Sequence, residues 1–226
     1  MRRFPSGPLV SVGQRIVLDA ATSHHILRVT RVARGELVEL FDGVRSCAAR
    51  LVDVSDGDAV CELVDPPKTT PVAVRLGLAL ALLKGPAFDL SLRMATELGV
   101  TDIWPVHAKR SVVKGDKADR WMRIVEGAAR QSGRAVVPTL HGAMPLNALL
   151  DAIPDGWAKV ACAPIATASP PAGRPVVVFI GPEGGWTDKE LAALVEGGAT
   201  LSSLGAHVLR ADTAVAAALA LVGRTP

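Results

Sequence analysis

Two glycine-bearing bends near the carboxyl terminus constrain this chain more than any other feature, because each leads from a strand-like apolar run into a helix. The first run, Val176-Val177-Val178-Phe179-Ile180, consists of β-branched and aromatic residues, the composition of a strand buried on both faces. It stops at Gly181-Pro182-Glu183-Gly184-Gly185-Trp186, and a helix is expected at once, with Thr187 three residues before Glu190 in capping-box spacing. The second unit passes from Ala199-Thr200-Leu201 through Leu204-Gly205-Ala206-His207-Val208-Leu209-Arg210-Ala211-Asp212-Thr213 into an alanine- and leucine-rich helix, expected from about Ala214 to Val222. In an open α/β sheet such bends lie at the carboxyl ends of strands, where small molecules bind. Glycine there lets backbone N–H and C=O groups approach a ligand with no Cβ in the way. Taken singly, each bend reads equally well as a turn that needs a positive φ. Neither is GxGxxG or GxxxxGK[ST], so dinucleotide and P-loop phosphate sites find no support.

The rest of the chain sets bounds around these bends. Its 226 residues allow one large or two small domains. Cys47, Cys61 and Cys162 are far apart and lack CxxC spacing, which points to a reducing compartment with no disulfide framework and no metal site. Met1-Arg2-Arg3 runs into Phe4-Pro5-Ser6-Gly7-Pro8 rather than an apolar segment, so no signal peptide is expected. The longest apolar run, Leu76 to Leu83, is too short to span a bilayer. A cytoplasmic protein without membrane partners is expected.

Residues 1–65 read as β-rich, with alternating runs at 15–18, 37–41 and 59–64 and turn signals at Asp42-Gly43 and Asp56-Gly57. Between the first two runs, Ile26, Val29 and Val32 suit one face of a short helix capped by Thr22 or Ser23, leaving His24, His25, Arg28 and Arg31 mostly on the other. Adjacent histidines on a helix do not face one ligand, so contact with phosphates is the better reading than metal binding. Asp65-Pro66-Pro67-Lys68-Thr69-Thr70-Pro71 is a linker. Beyond it strands and helices alternate, the mark of a parallel α/β sheet. Strands are expected at 72–83, 103–106 and 159–162. Helices are expected around Leu90, Met94 and Leu98, ended by Gly99; from Lys117 to Gln131, burying Trp121, Ile124 or Val125, and Ala128; and at 146–150.

Charge is segregated along this frame. Residues 1–34 hold six arginines against one acid, or +5, and residues 35–65 hold two against eight, or −6. Residues 66–140 hold twelve Lys/Arg against six acids, or +6, and the remainder comes to −2. Basic segments can form a phosphate-tracking surface even in a chain whose net charge is only +3; solvated helix faces would give the same pattern. With eight aromatics and no tyrosine, a base-stacking platform has little support.

Phe179-Ile180-Gly181-Pro182-Glu183-Gly184-Gly185, followed by Leu204-Gly205 and Val208-Leu209-Arg210-Ala211-Asp212-Thr213-Ala214, resembles the ribosomal small-subunit methyltransferase E family of the SPOUT class. Leu83-Lys84-Gly85, Ala95-Thr96-Glu97-Leu98-Gly99-Val100, Lys109-Arg110-Ser111-Val112-Val113 and Gln131-Ser132-Gly133-Arg134 resemble further family segments, as does His24-His25-Ile26-Leu27-Arg28-Val29 near the amino terminus. Departures fall at Pro86 after the glycine, at Arg93-Met94, at Ala206-His207, and at Asp212 in place of a customary glutamate.

The resemblance implies an α/β fold: a SPOUT-type parallel sheet with a carboxyl-terminal trefoil knot over residues 69–226, preceded by a small PUA-like β-barrel, an RNA-binding domain, over residues 1–68. It implies transfer of a methyl group from S-adenosylmethionine to N3 of a uridine in 16S ribosomal RNA of the small subunit, by a homodimer. A different RNA, a ribose 2′-oxygen target, or a non-catalytic RNA-binding assembly factor are the alternatives. The cofactor would lie against Ile180, Gly181, Pro182, Glu183, Gly184, Gly185, Leu204, Gly205, Val208, Leu209 and Thr213. Arg210 is the candidate to stabilise charge on the deprotonated base, or else it pairs with Glu183 or Asp212. Glu183, Asp212 and His207 are the candidates for the proton acceptor, and the residues alone leave that choice open. RNA would be held by Arg2, Arg3, His24, Arg28, Arg31, Arg110, Lys114, Arg130 and Arg134. Charge reversal at Arg28 or Arg134 is expected to weaken RNA binding and flatten its salt dependence; filter binding at several salt concentrations that returned an unchanged affinity and slope would contradict this.

Overall fold

The computed structural model describes residues 1–42, 44–69, 75–112, 117–134, 136–164, 166, 168 and 175–223. The chain divides into two compact units, Met1–Pro71 with Ala129–Val137, and Val72–Ala128 with Pro138–Pro226.

The first unit is built on a six-stranded sheet. Its elements are β1 (Arg3–Pro5), β2 (Arg15–Val17), α1 (Ala20–His24), β3 (Leu37–Phe41), β4 (Arg45–Ser55), β5 (Asp58–Leu63) and β6 (Lys68–Thr69). The strand order is β1-β3-β4-β5-β2, with β6 against β4; β1 and β3 run parallel and the other pairs antiparallel. Alternation places Val38 and Leu40, Cys47, Ala49 and Leu51, and Ala59, Cys61 and Leu63 in one core with Phe4, Leu9, Ile16, Leu18 and Ile26. The β4–β5 turn is Asp56-Gly57, both with positive φ (52° and 92°), as a two-residue hairpin turn demands.

The helix of this unit begins earlier than its sequence suggests. Asp19 is the cap, its carboxylate accepting the Thr22 N–H at 2.9 Å, so Thr22 and Ser23 lie inside the first turn. The chain then widens into a π-helical turn over His25–Val29, closed by the Thr30 N–H to the His25 carbonyl. The wider turn rotates the stripe: Ile26 and Val32 are buried, but Val29 is 59% exposed, contrary to a 3.6-residue repeat.

The second unit carries β7 (Leu76–Ala81), α2 (Pro86–Glu97), β8 (Asp102–His107), α3 (Ala118–Gln131, whose last residues group with the first unit), β9 (Thr139–Leu140), β10 (Met144–Pro145), α4 (Leu146–Ala152), β11 (Ala158–Cys162), β12 (Val176–Ile180), α5 (Asp188–Glu196), β13 (Ala199–Ser202) and α6 (Ala211–Val222). Its sheet runs β10-β8-β7-β12-β11-β13, with β9 beside β8, and every pairing among the described residues is parallel. β7 and β12 are buried at every position. Their odd and even residues serve different cores: Leu76, Leu78, Leu80, Val176, Val178 and Ile180 pack with α2, α3 and α6, whereas Ala79, Ala81, Val177 and Phe179 pack with α4 and α5. This is the two-faced burial that an unbroken β-branched run encodes.

Two expected boundaries shift. In α2 the buried stripe is Phe88, Leu92 and Ala95, with Leu90 and Leu98 partly exposed, so the anticipated 90/94/98 face is the outer edge of the helix. Ser91 and Thr96, buried beside it, donate to the Ala87 and Leu92 carbonyls and so are satisfied without leaving the helix. The last helix starts at Ala211 with Arg210 as its cap, three residues earlier than expected, which moves Asp212 and Thr213 into its first turn.

Trp104 and Trp121 are both core residues. Trp104 stacks on His141 with ring centroids 4.6 Å apart, meets Trp157 edge-on, and shares this corner with the Asp102–His141 contact at 3.1 Å. A Cβ at Gly77 would lie 2.7 Å from the Trp104 ring and 2.8 Å from that of Trp157. Gly77→Ala is therefore expected to destabilise the protein by about 1–3 kcal/mol, the usual cost of overpacking; a urea midpoint equal to that of the unsubstituted chain would show that the indoles yield freely.

Candidate active site

The carboxyl ends of β11, β12 and β13 open into a cavity of about 850 Å³. The segment after β12 and the segment between β13 and α6 both line it, so two stretches separated by some twenty residues in sequence meet in one site. Ile180, Gly181, Pro182, Glu183, Gly184 and Gly185 contribute one wall, and Leu204, Gly205, Val208, Leu209 and Arg210 another. Thr213 is the one expected cofactor contact outside this lining. It is exposed in the first turn of α6, its N–H bonded to the Asp212 carboxylate at 2.9 Å.

The glycines serve different ends. Gly185 (φ +69°) and Gly205 (φ +128°) adopt backbone conformations that suit glycine, and a Cβ at either would meet nothing within 4 Å. They leave open space. Gly181 and Gly184 instead permit close packing: a Cβ at Gly181 would lie 3.2 Å from the Trp186 indole, and one at Gly184 would lie 3.3 Å from Arg110 Cδ. The loop runs straight into α5 through a complete capping box between Thr187 and Glu190.

Arg210 pairs with Asp212, Nε to Oδ1 at 3.3 Å and Nη2 to Oδ2 at 3.1 Å. The Asp212 side chain is only 11% exposed, but that of Arg210 is 79% exposed, so the fork reaches outward from a fixed carboxylate. Burial works to raise the Asp212 carboxyl, yet the Arg210 guanidinium and the Thr213 N–H outweigh it and hold the group below its ordinary value. A carboxylate so held is a weak proton acceptor. Glu183 does not pair with Arg210: its Oε1 accepts the Lys84 backbone N–H at 3.0 Å, tying the loop to the segment after β7. His207 lines the cavity and is exposed.

The expected RNA contacts separate into distinct groups. His24, Arg28 and Arg31 are exposed beside α1 and its π turn, with no side-chain hydrogen bond or ion pair among the described residues. Arg2 donates to the Thr30 carbonyl at 2.8 Å, and Arg3 bonds the Gly133 carbonyl and lies over the Phe41 ring at 4.9 Å, so both brace the first unit. Arg130 is exposed, while Arg134 is partly buried and its guanidinium pKa is lowered by desolvation. Charge reversal at Arg134 thus perturbs packing as well as any RNA contact, and Arg28 is the cleaner position. Lys114 lies outside the described residues. Arg110 faces the cavity, its Nη1 donating to the Gly184 carbonyl at 2.7 Å and the Trp186 carbonyl at 3.3 Å.

Sequence reasoning missed several wall residues: Ala87 in the first turn of α2, Cys162-Ala163-Pro164 at the end of β11, and Trp186, Asp188 and Leu191. The rule that ligands bind at the carboxyl ends of parallel strands would have included the β11 end. The contribution of Ala87 depends on α2 packing beside α6, which no local pattern encodes.

A family model described as an RNA methyltransferase domain matches residues 70–223. The chain is 32% identical to ribosomal RNA small subunit methyltransferase E of Synechocystis sp., covering 97% of this chain and 76% of that protein. It is 33% identical to the protein of that name from Mycobacterium bovis, covering 95% and 88%. The crystal structure of ribosomal RNA small subunit methyltransferase E from Neisseria gonorrhoeae, bound to S-adenosylmethionine, superposes with a TM-score of 0.84 at 34% identity over 97% of this chain and 95% of that one. Glycine bends, parallel sheet and whole-length similarity converge: this chain belongs to the ribosomal RNA small subunit methyltransferase E family.

Proposed function

We propose that this protein is an S-adenosylmethionine-dependent methyltransferase that modifies N3 of a uridine in 16S ribosomal RNA of the small subunit. The observation that carries the reading is the one cavity walled by both glycine bends, in a chain whose relative from Neisseria gonorrhoeae binds S-adenosylmethionine. The residues fit that group. Gly185 and Gly205 leave unobstructed space, Ile180, Leu204 and Leu209 give an apolar slot, and the backbone between them can hydrogen-bond an adenine edge.

When bound, the sulfonium supplies an electrophilic methyl, so this chain's residues have to orient, exclude water and manage charge. Arg210 offers a planar fork of donors to a uracil oxygen as N3 loses its proton. Asp212 sets the direction of that fork, and its ionised state keeps the pair intact at neutral pH. Glu183, Asp212 and His207 remain the candidates for the proton acceptor, with Glu183 already engaged by the Lys84 N–H and Asp212 by Arg210.

The finer architecture belongs to the same reading. A trefoil knot is what the family implies, and the strand order, with β12 between β7 and β11 and β13 beyond β11, is compatible with it. A PUA-like barrel for RNA is supported by the six-stranded sheet and by the exposed Arg28 and Arg31 beside it, which have no ion pair among the described residues. The protein acts as a homodimer; the apolar α6, with Leu221 partly exposed, is a candidate contact. A cytoplasmic site of action agrees with the ribosomal substrate, and no helix among the described residues is long and apolar enough to cross a membrane.

The test is methylation of small ribosomal subunits with labelled S-adenosylmethionine, followed by mass spectrometry of the digested RNA. The wild type is expected to form 3-methyluridine, and Arg210→Ala to lower its rate on the order of 10²-fold, the scale for losing one preorganised charge stabiliser. A wild type that labels no small-subunit RNA would end the proposal, and an undiminished Arg210→Ala would leave Arg210 a structural ion-pair partner.

A further inference from the structure

We infer that Arg110 is a positioning residue of the methyl-donor loop, holding the 184–186 backbone in place from outside the sequence of that loop. The inference rests on the reading of the cavity as a methyl-donor site. Arg110 belongs by charge to the basic middle of the chain, and phosphate contact is its default role. Its geometry says otherwise. One guanidinium nitrogen donates to two carbonyls of the loop, those of Gly184 and Trp186, at 2.7 and 3.3 Å. Its methylene stem packs closely over residue 184, with Cδ and Cβ at 3.3 and 3.4 Å from the position of a Cβ there, so that a side chain would press on it. Gly184 is therefore shaped to receive Arg110.

The neighbouring residue repeats the attachment. The Lys109 N–H donates to Glu190 Oε1 at 2.7 Å, while Glu190 Oε2 accepts the Thr187 N–H at 2.8 Å and its hydroxyl at 2.7 Å. Burial alone would raise the Glu190 carboxyl, but the Lys109 and Thr187 donors and the Arg110 charge hold it below its ordinary value. With the Lys84 N–H on Glu183, the loop is fastened at three places. Arg110 supplies the one fastening made by a flexible side chain to bare backbone, at the carbonyls next to Gly185, where φ is positive and the cavity opens. Loop carbonyls so fixed keep the adjacent N–H groups aimed for a ligand without ordering cost at binding.

The experiment compares wild type, Arg110→Ala and Arg110→Lys. Calorimetry with S-adenosylmethionine is expected to give an affinity about tenfold weaker or worse for the alanine variant, as losing a charge-assisted hydrogen bond implies, with partial recovery in the lysine variant. The KM for S-adenosylmethionine should rise alike while kcat at saturation stays within about threefold, since nothing at the reacting atoms changes. Hydrogen exchange without ligand should be faster in the peptide spanning 181–190 and unaltered elsewhere. Unaltered exchange in that peptide, or an unchanged cofactor affinity with weakened RNA binding and a shallower salt slope, would overturn the inference. A wild type that binds no S-adenosylmethionine would defeat the methyl-donor reading, and the exchange comparison alone would then decide the role of Arg110.

Discussion

The site depends on where β12 sits. Val176–Ile180 is hydrogen-bonded to β7 on one side and β11 on the other, and its side chains alternate between the two cores of the sheet. A strand held on four sides cannot slide, because a one-residue slip would exchange its core faces and break both ladders at once. The bend that follows at Gly181 therefore starts from a fixed point. β13 adds outside β11 in parallel, so its carboxyl end comes to the same edge and the 203–210 segment faces the 181–186 segment. The cavity follows from register.

On that fixed edge, the loops divide the work between glycine and charge. Gly185 and Gly205 keep volume free, while Gly181 and Gly184 let Trp186 and Arg110 approach the backbone. Charged groups then fasten rather than fill: Glu183 to the Lys84 N–H, Glu190 to the Lys109 N–H, Arg110 to two carbonyls, Arg210 to Asp212. A pocket floor made of backbone needs such fastening, because loops are otherwise the least ordered part of an α/β unit. Arg210 presents most of its surface to solvent while its other edge is anchored on the buried Asp212, an arrangement that leaves the guanidinium face open to a ligand.

The central strands of the parallel sheet and most helices were legible, because burial on both faces leaves continuous apolar runs and a capping box leaves a fixed spacing, whereas β1, β4, β6, β9 and β10 were not anticipated. All five residues of β12, the box at Thr187-Glu190 and the inward face of α3 at Trp121, Val125 and Ala128 followed from local pattern. Where reading failed, a longer-range influence had replaced the local one. The π turn at His25–Val29 put Val29 outside, and Phe88 packing on Trp121 at 4.8 Å drew α2 onto a different stripe. The cavity walls were legible from the two bends, but the contributions of Ala87, Cys162 and Arg110 arise from tertiary neighbours that lie far off in sequence.

Charge was the least legible property. The count per segment gives the sign of a region, but the partners of each side chain decide whether that charge is available to a ligand. In the first unit Arg2 and Arg3 are engaged by Thr30, Gly133 and Phe41, while Arg28 and Arg31 stand in solvent. An engaged arginine has already exchanged water for protein acceptors, and moving it to a phosphate means breaking those bonds again. An unengaged one only sheds water and counterions, a process that released ions drive. The charge left available in this unit is thus narrower than its +5 amino-terminal segment suggests, and it lies beside the turn where the helix widens.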